Sequence, residues 1–514
     1  MIRTRKTAVR PLATAMLALA CAAPAARAQS QDPALRGLDA YIEQAMRDWQ
    51  VPGLSVAIVR HDSVIYEKGF GVREIGKPER VDENTLFAVA SNTKAVTATA
   101  LAILVGEGKL SWDDPAVKYV PYFQLNDPWA TRAMTVRDLM GHHGGYDTWQ
   151  GDLLWYGSDR STRDVLTAYR NLVPPNTFRS GYGYNNVMFV AAGEIIPAVT
   201  GQSWGDFVRA RILQPLGMTR TTTTITTLAQ MGNVATPHTK IDGRVVAVPY
   251  RNLDNGPAAG ALNSSAHDWA QWLRFQLANG SIGGRRLLDS TLVMQERIQQ
   301  TVIPVTPAAR RFFPSTHLAG YGMGWFLRDY GGRLVAYHSG GMDGMISETG
   351  FVPETGVGVA VFTNYDEHDL NGALFWEIVD RLLGMPERDW SRTLLDLQRQ
   401  AEAAAPADTA HAANTHPSLA PAGYAGTYQN PVLGEARVTA EGGVLRLRVL
   451  HNPGIDGALT HWQYNTFRAR WADRYLGTSL VTFAIAPDGR ADTFRMKIRP
   501  DFVDPQEYVF TRVP

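Results

Sequence analysis

Apolar residues recur at helical spacing from Leu35 to Trp49. The run "LSVAIVRHDSVIYEKGFGV" from Leu54 then changes to two β-rich stretches that meet at His61-Asp62, a hairpin signature. A long region of helical patterns and turns follows, up to about Gly320. Within it, Asn92 to Val105 is apolar on nearly every side, which predicts a helix buried in the middle of its domain. Strand patterns return in "RLVAYHSG", "ISETGFVP" and "GVGVAVFTN", and a closing helix is predicted from about Leu370 to Leu383. Strands from both ends of this region can share a layer only as one antiparallel sheet. The middle stretch then lies beside it as a helical lobe, with a cleft between the two.

Between Ala401 and Ala420, "AEAAAPADTAHAANTHPSLA" has almost no large apolar residue to bury, so it reads as a helix end dissolving into a linker. From about Gly423 the pattern has period two. "ARVTAEGGVLRLRV" turns about Gly442-Gly443 and "LVTFAIAPDGRADTFRMKI" about Pro487-Asp488-Gly489, both hairpin signals. The fold class expected is α+β: an antiparallel sheet flanked by helices plus an all-helical lobe, followed by a small antiparallel β-barrel. No repeat of solenoid type is visible.

The N-terminal residues follow neither pattern. Arg3, Arg5, Lys6 and Arg10 make a cationic start, an apolar stretch begins at Leu12, and Ala26-Arg27-Ala28 offers a small-residue cleavage site. Residues 1–28 therefore read as a signal peptide and the protein as exported, periplasmic or secreted. Cys21 after Leu19-Ala20 fits a lipoprotein anchor less well. It is the only cysteine, so a chain cleaved after Ala28 has no disulfide, thiol catalyst or cysteine metal site. Cleavage also lowers Lys plus Arg from 50 to 45 against 49 Asp plus Glu, a net charge of −4, and nothing points to nucleic acid. No later stretch approaches the roughly 20 apolar residues that span a bilayer. The oligomeric state is not readable.

The buried helix opens on a chemical pattern. Lysine is scarce, eight in 514 residues, and Ser91-Asn92-Thr93-Lys94 is the one Ser-x-x-Lys. Residues three apart on a helix share a face, so the two side chains can meet. A serine hydroxyl becomes a nucleophile when a base takes its proton, and a lysine does so only when neutral, a state that burial and a helix N-terminus favour. Read singly, Ser91 is an ordinary N-cap with a surface lysine after it. Two other patterns are equally bland alone. In "SGYGYNNVMF", Tyr184 can relay a proton and Asn186 can hold a carbonyl and a lysine together. In "YHSGGMDG", His338-Ser339-Gly340 ends a strand, and the Gly341 amide can donate to a carbonyl oxygen.

Together and in this order, Ser-x-x-Lys, Tyr-x-Asn and His-x-Gly resemble the serine β-lactamase and penicillin-binding-protein superfamily, in its class C-like and S12 peptidase branch. "LMGHHGG" at Leu139, "QPLGM" at Gln214 and "YGMGW" at Tyr321 add to the likeness, which covers roughly Leu35 to Arg388. The resemblance implies Ser91 as nucleophile, with Lys94 and Tyr184 sharing the proton work and the choice of base left open. It implies Asn186, His338, Ser339 and Gly340 as substrate-binding residues, and the amides of Ser91 and Gly341 as oxyanion hole. It implies no metal or cofactor. Three positions depart from the pattern: Asn185 stands for Ser or Ala, Gly144 for Ser, and His338 for a lysine cation. The last fits peptidases and esterases of the branch better than efficient β-lactam hydrolysis. The tail resembles the lipocalin-like domain of some S12 peptidases, through "YAGTYQNP" at Tyr424 and "GEARVTAEGGVLRLRV".

The domains expected are a signal peptide over 1–28, a β-lactamase-like catalytic domain over 29–388, a helix and Ala/Pro-rich linker over 389–420, and a lipocalin-like barrel over 421–514. The function expected is a serine hydrolase acting through an acyl-enzyme on small peptide-like amides, of D-amino-acid peptidase or DD-carboxypeptidase type, or on esters. The alternatives are a class C-type β-lactamase and a non-catalytic penicillin-binding sensor. Two decoys are set aside. Gly201-Gln202-Ser203-Trp204-Gly205 matches a nucleophile elbow but follows a helical pattern, not a strand, so Ser203 reads as a helix cap. His142-His143 lacks companions at ligand spacing and reads as structural. Trp462, Tyr464, Phe467 and Trp471 are expected to fill the barrel.

Overall fold

A strand with two apolar faces needs a layer on each side, and the run from Gly53 to Arg60 has both. The computed structural model describes residues 32–404, 411–500 and 502–513; the expected signal peptide, with Cys21, and part of the expected linker lie outside them. One sheet holds β1 (Gly53–Arg60), β2 (Ser63–Gly71), β3 (Thr301–Val302), β4 (Ala319–Tyr321), β5 (Phe326–Tyr330), β6 (Arg333–Met342), β7 (Met345–Val352) and β8 (Val357–Thr363), in the order β2-β1-β8-β7-β6-β5-β4-β3. Strands from the two ends do pair antiparallel, with Leu54 opposite Thr363 and Arg60 opposite Val357.

Alternate residues of β1 supply two cores. Leu54, Val56 and Ile58 join one, where Leu38, Ile42 and Trp49 of α1 (Leu38–Trp49) also pack; Ala57 and Val59 join the other. The second core extends into the lobe through α2 (Thr93–Gly106), α3 (Asn186–Thr200) and α4 (Ala266–Leu277). The first is closed by α5 (Leu370–Leu383) and α6 (Trp390–Ala404). Short two-stranded ribbons also occur between the ends of the sheet, such as His238–Ile241 with Arg244–Ala247.

Every residue of α2 from Thr93 to Leu104 is buried. Its threonines avoid the cost of unpaired hydroxyls: Thr97 Oγ1 donates to the Ala258 carbonyl and Thr99 Oγ1 to Glu296 Oε1, each at 2.8 Å. The helix can therefore sit in the centre of its domain and still carry polar groups.

The tail is a closed barrel of eight antiparallel strands, β9 (Gly426–Asn430), β10 (Gly434–Glu441), β11 (Val444–Val449), β12 (Asp456–Gln463), β13 (Thr466–Arg470), β14 (Thr478–Ile485), β15 (Ala491–Ile498) and β16 (Asp504–Arg512). Tyr424, Tyr428, Phe467, Phe483 and Phe494 pack against one another as a buried aromatic cluster. Two of the four aromatics expected inside are elsewhere. Phe467 and Trp471 are buried, but Tyr464 is 62% exposed and Trp462 stacks on His411 at the surface of a hairpin end, where period two no longer assigns a face.

The barrel docks on the lobe through buried polar contacts. Asn452 Nδ2 donates to the Leu153 carbonyl at 2.8 Å. Asp504 Oδ2 accepts the main-chain amides of Gly151 and Leu153 at 3.1 and 3.3 Å, and the Tyr508 hydroxyl at 2.6 Å. Burial pushes the Asp504 carboxyl up to about 6. Asp504→Ala leaves these donors without an acceptor and is expected to cost about 1–3 kcal/mol, read by chemical denaturation. Asp504→Asn is expected to lose less, because its amide oxygen still accepts.

Candidate active site

Ser91 lies in a short turn, Ala90–Asn92, that leads into α2. It does not cap the helix: the structure gives no capping bond from its side chain, and Ala90 before it holds φ 45°, in the left-handed region that a non-glycine residue seldom adopts. One turn later Lys94 is fully buried, and its Nζ lies 3.0 Å from Ser91 Oγ. The same nitrogen lies 2.7 Å from Asn186 Oδ1 and 2.8 Å from the Ala259 carbonyl oxygen. Those two oxygens can only accept, so they fix two N–H bonds of the amine. A neutral amine would then aim its lone pair at the Ser91 hydroxyl. Burial lowers the Lys94 amine to about 7, against the opposing pull of the Asp152 carboxylate.

Asn185 and Asn186 set the first turn of α3. Asn185 caps it through the Met188 amide and donates from Nδ2 to the Gln150 carbonyl, so the departure at this position is absorbed structurally. Asn186 donates from Nδ2 to Asp152 Oδ2 at 2.5 Å. That contact settles which end of the amide faces Lys94. Asp152, which the sequence reading missed, is buried and raised to about 7 by desolvation. The barrel's Asp504 binds the amides on either side of it.

Tyr184 is buried above the amine, with Lys94 Nζ 4.8 Å from its ring centroid. Among the described residues its hydroxyl meets no partner in good hydrogen-bond geometry, although the Ser91 hydroxyl is its neighbour. Desolvation raises the phenol well above its ordinary value, and the neighbouring Ser91 hydroxyl only partly offsets this. His338 is also buried. Its Nδ1 lies 2.5 Å from the Ser339 carbonyl, which only accepts, so Nδ1 carries the proton and Nε2 accepts from the Tyr321 hydroxyl at 2.9 Å. Burial and the Lys94 charge hold the imidazole down at about 3, hence neutral.

The second half of β6 is free on one edge, because β5 pairs only with Arg333 to Tyr337. Met342 and Met345 close a two-residue turn with β7, and alternation then turns the Gly341 amide away from β7 toward that free edge. A Cβ on Gly340 would stand 2.2 Å from the Val89 oxygen, next to the Ser91 turn. Ser91, Tyr184, Asn186, His338, Ser339, Gly340 and Gly341 all line one cleft of about 510 Å³, with Lys94 behind Ser91. Phe502 and Val503 of the barrel line it too.

Ser203 lies elsewhere, whereas His142 packs behind the site, its ring 4.5 Å from that of Tyr184 and 4.7 Å from that of Tyr321. Ser203 caps the helix Trp204–Val208 through the Asp206 amide. His142 Nδ1 accepts the Asn185 amide at 3.0 Å, and His143 meets Asp138 at 3.3 Å.

A family model described as Beta-lactamase matches residues 38–380. The chain belongs to the beta-lactamase family. A second model, a domain of unknown function (DUF3471), matches residues 410–512. Among curated relatives, an unguisins hydrolase, ungD', of Aspergillus campestris is 28% identical over 78% of this chain and 77% of its own. Among solved structures, the octameric penicillin-binding protein homologue from Pyrococcus abyssi covers 92% of this chain and 99% of that one, at 22% identity and TM-score 0.61. The D-amino acid amidase from Ochrobactrum anthropi SV3 covers 68% and 98%, at 25% identity and TM-score 0.54. Among the described residues no helix is long and apolar enough to cross a membrane.

In this beta-lactamase family protein the clash at Gly340 gives a direct test of how closely β6 must approach the Ser91 turn. Gly340→Ala is expected to cost about 1–3 kcal/mol in stability. It should also slow labelling of Ser91 by a fluorophosphonate at least tenfold, measured as a labelling rate on protein shown to be folded.

Proposed function

We propose that the protein is an exported serine hydrolase that forms an acyl-enzyme on Ser91 and cleaves peptide-like amides, of D-amino-acid peptidase or DD-carboxypeptidase type, or esters. The observation that carries this reading is the buried Lys94 amine, its two N–H bonds held by Asn186 and Ala259 and its third direction facing Ser91. The likeness to a D-amino acid amidase supports an amide substrate, and that to an unguisins hydrolase supports hydrolysis. The leader-like pattern of residues 1–28 supports export.

In this mechanism neutral Lys94 takes the Ser91 proton as Oγ attacks the substrate carbonyl, and the oxygen that gains charge meets the amides of Ser91 and Gly341. The raised phenol of Tyr184 makes it an acid rather than a base. It gives its proton to the departing nitrogen and regains one from the Lys94 ammonium. Water then cleaves the ester by the reverse route. Asp152 acts through Asn186 as a positioning residue. The β-lactamase reading is weaker because His338 is neutral where that chemistry commonly places a cation. A penicillin sensor would acylate and stop.

Ser91→Ala should abolish labelling by fluorophosphonate and fluorescent penicillin, and Lys94→Ala and Tyr184→Phe should each slow acylation more than 100-fold. Full labelling of Ser91→Ala would overturn the assignment, and a label that is never released would favour the sensor. Substrate class is read by assaying D-amino-acid amides, short-chain esters and a chromogenic cephalosporin side by side. The base form of Lys94 exists above its pKa, so acylation should rise as pH climbs through about 7 and fall about tenfold per pH unit below it.

A further inference from the structure

The cleft does not end at Ser91. It continues past the free edge of β6 to the start of α5, where Glu348, Asp369 and Asn371 line it. Ser339 on β6 stands opposite Glu348 on β7 in the sheet register. Glu348 is only 6% exposed, and among the described residues no cation pairs with it. Asn371 Nδ2 donates to Oε2 at 3.2 Å, while Oε1 accepts no hydrogen bond and is not sealed from the cleft. That oxygen is therefore open to a donor from a molecule in the cleft.

Asp369 stands at the rim beside it. It is exposed and occupies the N-cap position of α5 but makes no side-chain capping bond among the described residues. Burial, with the Asp369 charge second, pushes Glu348 up to about 8, and no positive group offsets this, so near neutral pH Glu348 largely keeps its proton and ionises fully when a cation meets it. His368, which also lines the cleft, is neutral: Nδ1 accepts the Leu370 amide at 2.9 Å, Nε2 meets Thr363 Oγ1 at 3.2 Å, and burial lowers the ring to about 3. Deeper in, Asp152 is already held by Asn186 and Trp155. Among the described residues that line the cleft there is no lysine or arginine.

We propose that Glu348 and Asp369 form a subsite for a primary ammonium group of the substrate, with Asn371 holding the Glu348 carboxylate toward it. The inference rests on the hydrolase reading of this cleft and narrows it. An acidic wall with no cation attracts an amine and repels a free carboxylate, so it favours the amino-peptidase or amidase form of the activity over the carboxypeptidase form. The chemistry is the same for an N-terminal α-amine and for a lysine-like side chain.

The test uses two matched sets of peptide amides. One carries a free, acetylated or succinylated N-terminus; the other is N-acetylated throughout and carries lysine or norleucine. In the wild type, the amine-bearing member of one set should exceed its neutral partner at least tenfold in kcat/KM, with the succinylated compound slowest. That set identifies the source of the amine. In Glu348→Gln and in Asp369→Asn the ratio should fall toward one. A wild-type preference for the neutral or anionic compound, or a ratio unchanged in both variants, overturns the subsite. Calorimetric binding of the same compounds to Ser91→Ala reads the preference without chemistry. Amine preference without turnover in the wild type would count against the hydrolase reading alone, and turnover without amine preference against the subsite alone.

Discussion

The site depends on keeping one amine out of water. Lys94 is completely buried on a helix buried from Thr93 to Leu104, and its amine meets a hydroxyl, an amide oxygen and a main-chain carbonyl beside the Tyr184 ring. Lowering the amine from 10.5 to about 7 corresponds to roughly 5 kcal/mol in favour of the neutral form. That preference destabilises the fold whenever the amine is protonated in the unfolded chain, and it is the property a base beside Ser91 requires. The remaining polar groups of α2 are fully bonded, which confines the cost to the place where it has a chemical use.

The rest of the molecule holds that amine in place from three directions. The sheet closes from both ends of the first domain, so β6 can bring Gly340 against Val89 with no room for a side chain. The lobe brings Asn186, oriented by Asp152. The barrel, more than 300 residues further along the chain, brings Asp504 to the amides that flank Asp152. It also brings Phe502 and Val503 to the wall of the cleft. The barrel is thereby part of the site's construction as well as a separate core.

Most of the fold could be read from local patterns. The His61-Asp62 and Gly442-Gly443 turns, the all-buried α2 and the closing helix each follow from periodicity within a dozen or so residues. Ser91 with Lys94, and Tyr184 with Asn186, were legible for the same reason, since each pair lies within one turn or strand end. Asp152, Glu348 and the Asp504 contact were not, because each meets a group far away in sequence and an acidic residue alone has no signal; the segment at Tyr321 was noted, but its bond to His338 was not. The left-handed Ala90 was hidden as well: alanine before a helix gives no hint of strain. Trp462 and Tyr464 misled because alternation fails where a hairpin turns.

The central claim is that Lys94 is a neutral base in the resting protein, and NMR titration of the Lys94 ε-carbon, in lysine-labelled protein with Lys94→Arg to identify the signal, tests it most directly. The account predicts a midpoint near 7. A Lys94 signal that stays that of an ammonium up to pH 10 would contradict it.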